Sequence, residues 1–105
     1  MVIIGTGDKD KASAGLMYTR NVLKYKWLER VKVVFFGPSE QLVASDDGVR
    51  NMAKEVAAMT DCFACQAISD EKGVSENLAE IGVKIEYVGT VISNLVKEGY
   101  VPMVW

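Results

Sequence analysis

Two cysteines are the residues of this chain best suited to chemistry. Cys62 and Cys65 stand three residues apart, with Phe63 and Ala64 between them. A Cys-x-x-Cys spacing is typical of a redox motif when it opens a helix after a strand. Here both cysteines fall within one predicted strand, on which residues three apart point to opposite faces. This geometry disfavours a disulfide, so Cys62 is predicted to be a core residue.

Cys65 ends that predicted strand and comes just before a predicted helical turn, Ala67 to Lys72. Backbone N–H groups at a helix N-terminus favour an anion, and the thiolate is the reactive form of cysteine. We therefore expect Cys65 to be the residue that carries chemistry. Its position alone fits a small buried hydrophobic residue about equally well.

The sequence contains no histidine. Histidine is the usual general base, the commonest metal ligand and the usual pH switch. Ser-His-Asp and Cys-His catalytic arrangements are therefore excluded within this chain. Two cysteines without histidine do not complete a zinc site, so no metal is expected.

Three other short motifs are better explained by folding. Gly5-Thr6-Gly7 begins like a dinucleotide-binding loop but lacks the third glycine of that pattern, which favours a tight turn. Asp46 and Asp47 precede an amphipathic stretch and are typical of a helix cap. The charged residues 70–72 could tune the nearby thiol, although such a group is more often a solvated turn.

Apolar runs alternate with helical patterns along the chain. The predicted strands are Val2 to Thr6, Val31 to Phe36, Asp61 to Cys65, Val83 to Val88 and Tyr100 to Trp105. The main predicted helices are Asp8 to Leu28, a helix capped by Asp46 or Asp47, a short helix from Ser75, and Thr90 to Glu98, with a helical turn at Glu40 to Ala44.

This alternation predicts one domain over residues 1–105. Strands joined by helices are parallel, because each crossover returns the chain to the same end of the sheet. We expect a three-layer α/β/α fold with a mostly parallel, five-stranded sheet. Pro102 places the last strand at a sheet edge, since proline cannot donate to a central ladder.

In an open parallel sheet the ligand crevice lies outside the carboxyl ends of the strands. The alternation of strands and helices therefore predicts the site residues even though the strand order is unknown. They are Thr6, Gly7, Phe36, Gly37, Cys65, Gln66, Gly89 and Thr90, with Cys65 catalytic and the others binding substrate.

Charge and hydropathy exclude some partners. The net charge of -2 argues against nucleic acid, which requires a basic surface. No apolar run approaches the roughly 20 residues of a membrane span. The opening residues do not resemble a signal peptide, so a cytoplasmic location is expected, where thiols stay reduced.

Charge is unevenly distributed along the chain. Up to Lys32 there are seven Lys or Arg and three Asp or Glu, and after it there are five and eleven. The ordinary interpretation is a solvated basic face on the first helix. The alternative is a docking patch for an acidic partner protein.

The order of these stretches resembles the DsrE/DsrF-like family. The first half is similar in Lys11 to Leu16, the long helix that follows and Val31 to Ser39. The second half is similar in Cys65 to Val74, in the strand Val83 to Val88 and in Gly99 to Pro102. The characteristic cysteine of the family precedes a Gly-Ile or Gly-Val step by eight positions, as Cys65 precedes Gly73 and the residue after it.

The resemblance implies a role in sulfur transfer. Better-known members form homo- or hetero-oligomers and carry sulfur on this cysteine as a persulfide within a relay. Cys65 would then accept sulfur from a donor protein and pass it to an acceptor protein, with no metal, flavin or nucleotide cofactor. A non-catalytic assembly or regulatory subunit is the alternative, and a thiol–disulfide oxidoreductase using Cys62 and Cys65 is a third possibility.

A homo-oligomer, with a trimer or hexamer preferred, is also expected. The chain is small, and small domains gain burial by associating. Its last predicted strand ends in the apolar residues Met103, Val104 and Trp105.

Overall fold

Strands and helices alternate along the chain, and a computed structural model describes all 105 residues. The strands are β1 (Val2–Ile4), β2 (Val33–Phe35), β3 (Cys62–Cys65), β4 (Lys84–Glu86) and β5 (Met103–Val104). The helices are α1 (Lys9–Tyr25), α2 (Ser39–Ser45), α3 (Asp47–Met59), α4 (Gln66–Lys72), α5 (Ser75–Glu80) and α6 (Val88–Lys97).

The five strands form one sheet in the order β4-β3-β2-β1-β5, and every neighbouring pair is parallel. The predicted three-layer α/β/α fold is confirmed, with a sheet that is entirely rather than mostly parallel. The prediction that the Pro102 segment lies at an edge is confirmed as well, since β5 pairs only with β1.

The strand order decides which face each helix covers. Parallel crossovers are right-handed, so three successive steps in one direction put their helices on one face. The fourth crossover returns from β4 past β1 to β5, and it places α6 on the other face. We call these the α1 face and the α6 face of the sheet.

Most of the core lies on the α1 face. A cluster of 17 buried residues there joins Val2, Ile4, Val33, Phe35 and Cys62 to the helices. Helix α1 contributes Ala12 and Leu16, and α3 contributes Val49, Ala53 and Val56, at the predicted helical spacing. The α6 face has a smaller cluster of five buried residues, which are Met1, Val34, Cys65, Val88 and Leu95.

Gly15 allows the end of the chain to pack against α1. A Cβ atom at this position would lie 2.9 Å from Cγ of Trp105, so only glycine fits without a shift of the indole. The Tyr18 ring lies beside the same indole, with 5.5 Å between the ring centroids. Trp105 therefore holds the carboxyl end of β5 against α1.

Several predicted boundaries are wrong, including that of the last strand, which begins at Met103 rather than Tyr100. Two of the differences have a clear local cause. Helix α1 ends at Tyr25 rather than Leu28, because Lys26 adopts a left-handed conformation with φ of 55° and closes the helix. Strand β4 ends at Glu86 rather than Val88, because Val88 is buried as the first residue of α6. Residues 89 and 90 accordingly lie in the first turn of a helix instead of following a strand.

Candidate functional site

Cys65 lies at the carboxyl end of β3, as predicted, and α4 begins at the next residue. Its side chain faces α6 and belongs to the buried cluster that contains Val34, Val88 and Leu95. The residue is 8% exposed, and its side chain makes no capping hydrogen bond to α4. The thiol is thus at the strand end, under the beginning of α6, with little contact with solvent.

Neighbouring strands place two side chains beside Cys65. The β3–β4 register pairs Cys65 with Glu86, and the β2–β3 register, which pairs Phe35 with Ala64, continues to Phe36 and Cys65. Register partners in a parallel sheet point to the same face, about 4.8 Å apart between strands. Glu86 is exposed, and Phe36 is 44% exposed. The thiol is therefore flanked by a carboxylate and an aromatic ring.

Cys62 lies on the opposite face of the sheet, within the main core. Burial raises the pKa of its thiol to about 12, and the charge of Asp61 adds to the effect. Both thiols are free. The prediction that Cys62 is a core residue pointing away from Cys65 is confirmed, and the two sulfur atoms are separated by the sheet.

Asp61 links three strands at their amino ends. Its carboxylate accepts a hydrogen bond from Lys32 at 2.6 Å and another from Lys84 at 2.9 Å. These hydrogen bonds, from Lys32 first and then from Lys84, lower the pKa of Asp61 to about 2. The two ammonium groups are thereby held towards the amino end of the strands, away from the thiol.

The predicted residues after β1 and β2 lie together. The Phe36 N–H donates to the Ile4 carbonyl at 3.1 Å, so the two strand ends are adjacent. Gly37 has φ of 111°, which favours glycine, and a Cβ atom there would lie 3.3 Å from the Gly5 carbonyl. The Thr6 hydroxyl accepts a hydrogen bond from the Asp8 N–H at 3.0 Å, so it serves the start of α1.

The remaining predicted residues occupy helix starts. Gly7 lies next to the β2–α2 loop, and a Cβ atom added at this position would be 3.0 Å from Cβ of Pro38. Gln66 is the first residue of α4, and its carbonyl accepts a hydrogen bond from the Ser69 hydroxyl at 3.3 Å. Gly89 and Thr90 are exposed in the first turn of α6, the turn whose Val88 packs with Cys65.

Glu40 is a buried carboxylic acid, although its sequence pattern predicts only that it belongs to a helical turn. Its Oε2 accepts a hydrogen bond from the Gly37 N–H at 3.1 Å, and its Oε1 is buried without a partner. Burial raises the pKa of this carboxyl to about 7, against the opposing effect of the Gly37 hydrogen bond. The sequence spacing could have indicated this burial. Glu40 precedes the core residue Val43 by three positions, so a helix directs both side chains towards the core.

Two cavities are present, and neither is lined by Cys65. The larger, of about 560 Å³, lies at the amino ends of the strands between Leu28–Arg30 and Glu98–Val101. The smaller, of about 300 Å³, lies at the α4–α5 turn.

The strand order reverses between β1 and β5, where a crevice would normally open. There the Trp105 carbonyl accepts hydrogen bonds from Gly5 at 2.8 Å and Thr6 at 3.3 Å.

Two general properties follow from the whole chain. No helix has both the length and the apolar character that crossing a membrane requires. No three or more Asp, Glu, Cys or His side chains are grouped so that they could hold a metal ion.

Comparison with known proteins supports the fold alone. No protein-family model matches the chain, and no curated protein matches it either. Among solved structures, it is similar to a conserved protein of unknown function from Bacteroides thetaiotaomicron, with a TM-score of 0.87 and 23% sequence identity. The similarity covers 99% of this chain and 92% of that one.

Proposed function

We propose that this protein carries sulfur as a persulfide on Cys65. The observation that carries the proposal is the separation of the two thiols. Cys65 ends a strand at the carboxyl edge and is 8% exposed, whereas Cys62 is fully buried on the other face with its pKa raised to about 12. One thiol alone is therefore placed for exchange, which suits a carrier better than a dithiol enzyme. The resemblance to DsrE/DsrF-like proteins supports the same role.

The proposed exchange involves no net oxidation or reduction. The Cys65 thiolate attacks the outer sulfur of a donor persulfide, R–S–SH. The new S–S bond forms as the donor S–S bond breaks, and the donor leaves as a thiolate. In the second step an acceptor thiolate attacks the outer sulfur on Cys65, and Cys65 returns to its thiolate. The reaction is a sulfane-sulfur transfer that needs neither an oxidant nor a metal.

Access to Cys65 is narrow in the single chain. Val88 and Leu95 pack with the thiol from the α6 side, and Glu86 is its register partner on β4. Helix α6 begins with no side-chain capping hydrogen bond, but its first residue, Val88, is buried beside Cys65. Movement of this turn would uncover the sulfur atom for a donor.

The second candidate is a non-catalytic assembly or regulatory subunit. The low exposure of Cys65, at 8%, favours it, since a cysteine packed with valine and leucine also serves as a small hydrophobic residue. A thiol–disulfide oxidoreductase is disfavoured by the placement of Cys62 and Cys65 on opposite faces.

Sulfur loading tests the proposal directly. After incubation with cysteine persulfide and removal of excess donor, we expect the intact mass of the protein to rise by one sulfur atom per chain. Cys65→Ser should lose this gain, and the matched variant Cys62→Ser should keep it. If Cys65→Ser loads as well as the parent, Cys65 is not the acceptor and the assembly role becomes the better explanation.

We also propose that the protein forms a homo-oligomer, with a trimer or hexamer preferred. Val101 and Val104 are 71% and 70% exposed on the segment that forms the β5 edge of the sheet. This edge carries no charged residue that would oppose pairing with another chain. Light scattering at micromolar concentration should give a multiple of the 11.5 kDa chain mass, and a monomer mass would contradict the proposal.

A further inference from the structure

The larger cavity, of about 560 Å³, lies at the amino ends of the strands, whereas Cys65 lies at the carboxyl end of β3. One wall of the cavity comes from Leu28–Arg30 and the other from Glu98–Val101, and Tyr18 and Met103 complete the lining with Met1. Most of these residues are apolar or aromatic. The volume falls within the roughly 300–1,000 Å³ of cavities that hold a ligand. The sulfur chemistry proposed for Cys65 leaves this cavity without a role.

The chain segment 24–30, which runs from the end of α1 into one wall of the cavity, exposes large apolar side chains. Tyr25, Trp27 and Leu28 are 57%, 60% and 45% exposed. The rings of Tyr25 and Trp27 stack on each other, with 5.7 Å between their centroids. Exposed apolar patches mark interaction sites, and tyrosine and tryptophan are enriched among the residues that contribute most to binding. The segment and the cavity together form one surface suited to a partner.

Three cations of the same segment have no ion-pair partner. Lys24, Lys26 and Arg30 are exposed, and none of them forms an ion pair. The bases that flank the segment along the chain, Arg20 and Lys32, are both ion paired. The segment therefore keeps free positive charge on a chain whose net charge is -2. Charge complementarity favours a partner that brings carboxylates to this surface.

Two carboxylates limit which anionic partner fits. Glu29 and Glu98 line the cavity and are likewise exposed without an ion pair. An anionic bilayer or a nucleic acid presents negative charge over its whole surface, so both carboxylates would repel it. A peptide can instead place an apolar side chain between them in the cavity and its acidic side chains beside Lys24 and Lys26. The mixed charge of the surface thus favours a peptide segment.

We propose that the segment 24–30 and the adjoining cavity bind a segment of a partner protein in which an apolar anchor residue is flanked by aspartate or glutamate. The anchor fills the cavity between Leu28 and Tyr100, the exposed aromatic rings cover its neighbours, and the free cations pair with the acids. The contact is small, which is typical of weak and transient association. The inference does not rest on the sulfur-carrier function of Cys65.

Titration of the whole chain with two short peptides tests the proposal. The acidic peptide is acetyl-Glu-Asp-Val-Leu-Val-Asp-Glu-amide, and its counterpart carries lysine at every acidic position. We expect the acidic peptide to bind with a Kd below about 1 mM and at least about tenfold more tightly than the lysine peptide at low ionic strength. Nuclear magnetic resonance should show shifts of the Trp27 indole N–H and of the Gly99 and Val101 backbone amides.

Charge reversal separates binding from any loss of structure. Lys24→Glu combined with Lys26→Glu should weaken binding of the acidic peptide at least about tenfold and strengthen binding of the lysine peptide, which an unfolded variant would not do. Trp27→Ala should weaken binding of the acidic peptide several-fold. The matched control Lys54→Glu reverses an exposed, unpaired lysine on α3 and should leave both affinities unchanged.

Several results would overturn the inference. They are equal affinity for the two peptides, no binding of the acidic peptide at about 1 mM, and unchanged affinities in the charge-reversed variant. Binding to phosphatidylserine vesicles or to oligothymidine without binding of the acidic peptide would assign the surface to a membrane or a nucleic acid instead. A second copy seated in the cavity would keep the peptide out of the oligomer, and that result would overturn the inference as well. Sulfur loading on Cys65 is measured separately, so either proposal can fail without the other.

Discussion

Native protein treated with iodoacetamide near pH 8 should gain one carbamidomethyl group per chain, on Cys65. A pKa of about 12 for Cys62, against an ordinary value of 9.0, reduces its thiolate fraction about 1000-fold. Its side chain is also fully buried in the main core, so the reagent reaches it only after the structure opens. We expect Cys62 to react at least about 1000 times more slowly than in the unfolded chain.

Peptide mapping by mass spectrometry after timed alkylation measures both rates in one sample. Cys65→Ser should remain unlabelled while folded, and both cysteines of the parent should be labelled in urea. Modification of Cys62 at a rate comparable with that of Cys65 in the native protein would contradict the separation of the two thiols by the sheet. That separation is the basis of the proposed function.

Replacing the buried carboxyl of Glu40 should change how stability depends on pH. Its pKa is about 7 in the folded protein and near 4.5 when unfolded, so the folded state retains a proton that the unfolded state releases. Stability from this group is complete below pH 4.5 and declines as the pH rises through 7. The total loss corresponds to about 3 kcal/mol in the free energy of unfolding.

Glu40→Gln removes the ionisation while the amide oxygen can still accept the Gly37 N–H. We expect the free energy of unfolding of this variant to be nearly constant between pH 5 and pH 8, and to exceed that of the parent at pH 8 by up to about 3 kcal/mol. Urea unfolding followed by tryptophan fluorescence at several pH values measures the difference. Glu76→Gln, at an exposed position on α5, should keep the slope of the parent. If Glu40→Gln keeps that slope too, the decline comes from another group.

The alternation of apolar runs and helical patterns was sufficient for the class of fold. Strands buried on both faces and joined by helices leave few solutions other than a parallel sheet between helices. The period of two along Cys62 to Cys65 also determined, without any tertiary information, that the two thiols face opposite sides. The position of Cys65 at a strand end follows from the same local pattern.

The tertiary structure decided what surrounds Cys65. The strand order puts β2 and β4 on either side of β3, and this order brings Phe36 and Glu86 beside the thiol. Local sequence patterns do not determine the strand order, because the strands become neighbours only when the connecting helices have packed on the sheet. The beginning of α6 at Val88 was missed for a related reason: an apolar residue after a strand continues the strand pattern, and only packing on Cys65 reveals a helix.

Packing over long sequence separations also determined where no crevice forms. The strand order reverses between β1 and β5, yet Trp105 occupies the place where a crevice would open. Its indole fits there because Gly15, which precedes it by ninety residues, has no side chain. The burial of Glu40 has a similar origin, since α2 is covered by α3, α4 and α5. The position of Trp105 and the burial of Glu40 both depend on contacts between elements that are far apart in the sequence. Local sequence patterns do not reveal these contacts, because they form only in the folded protein.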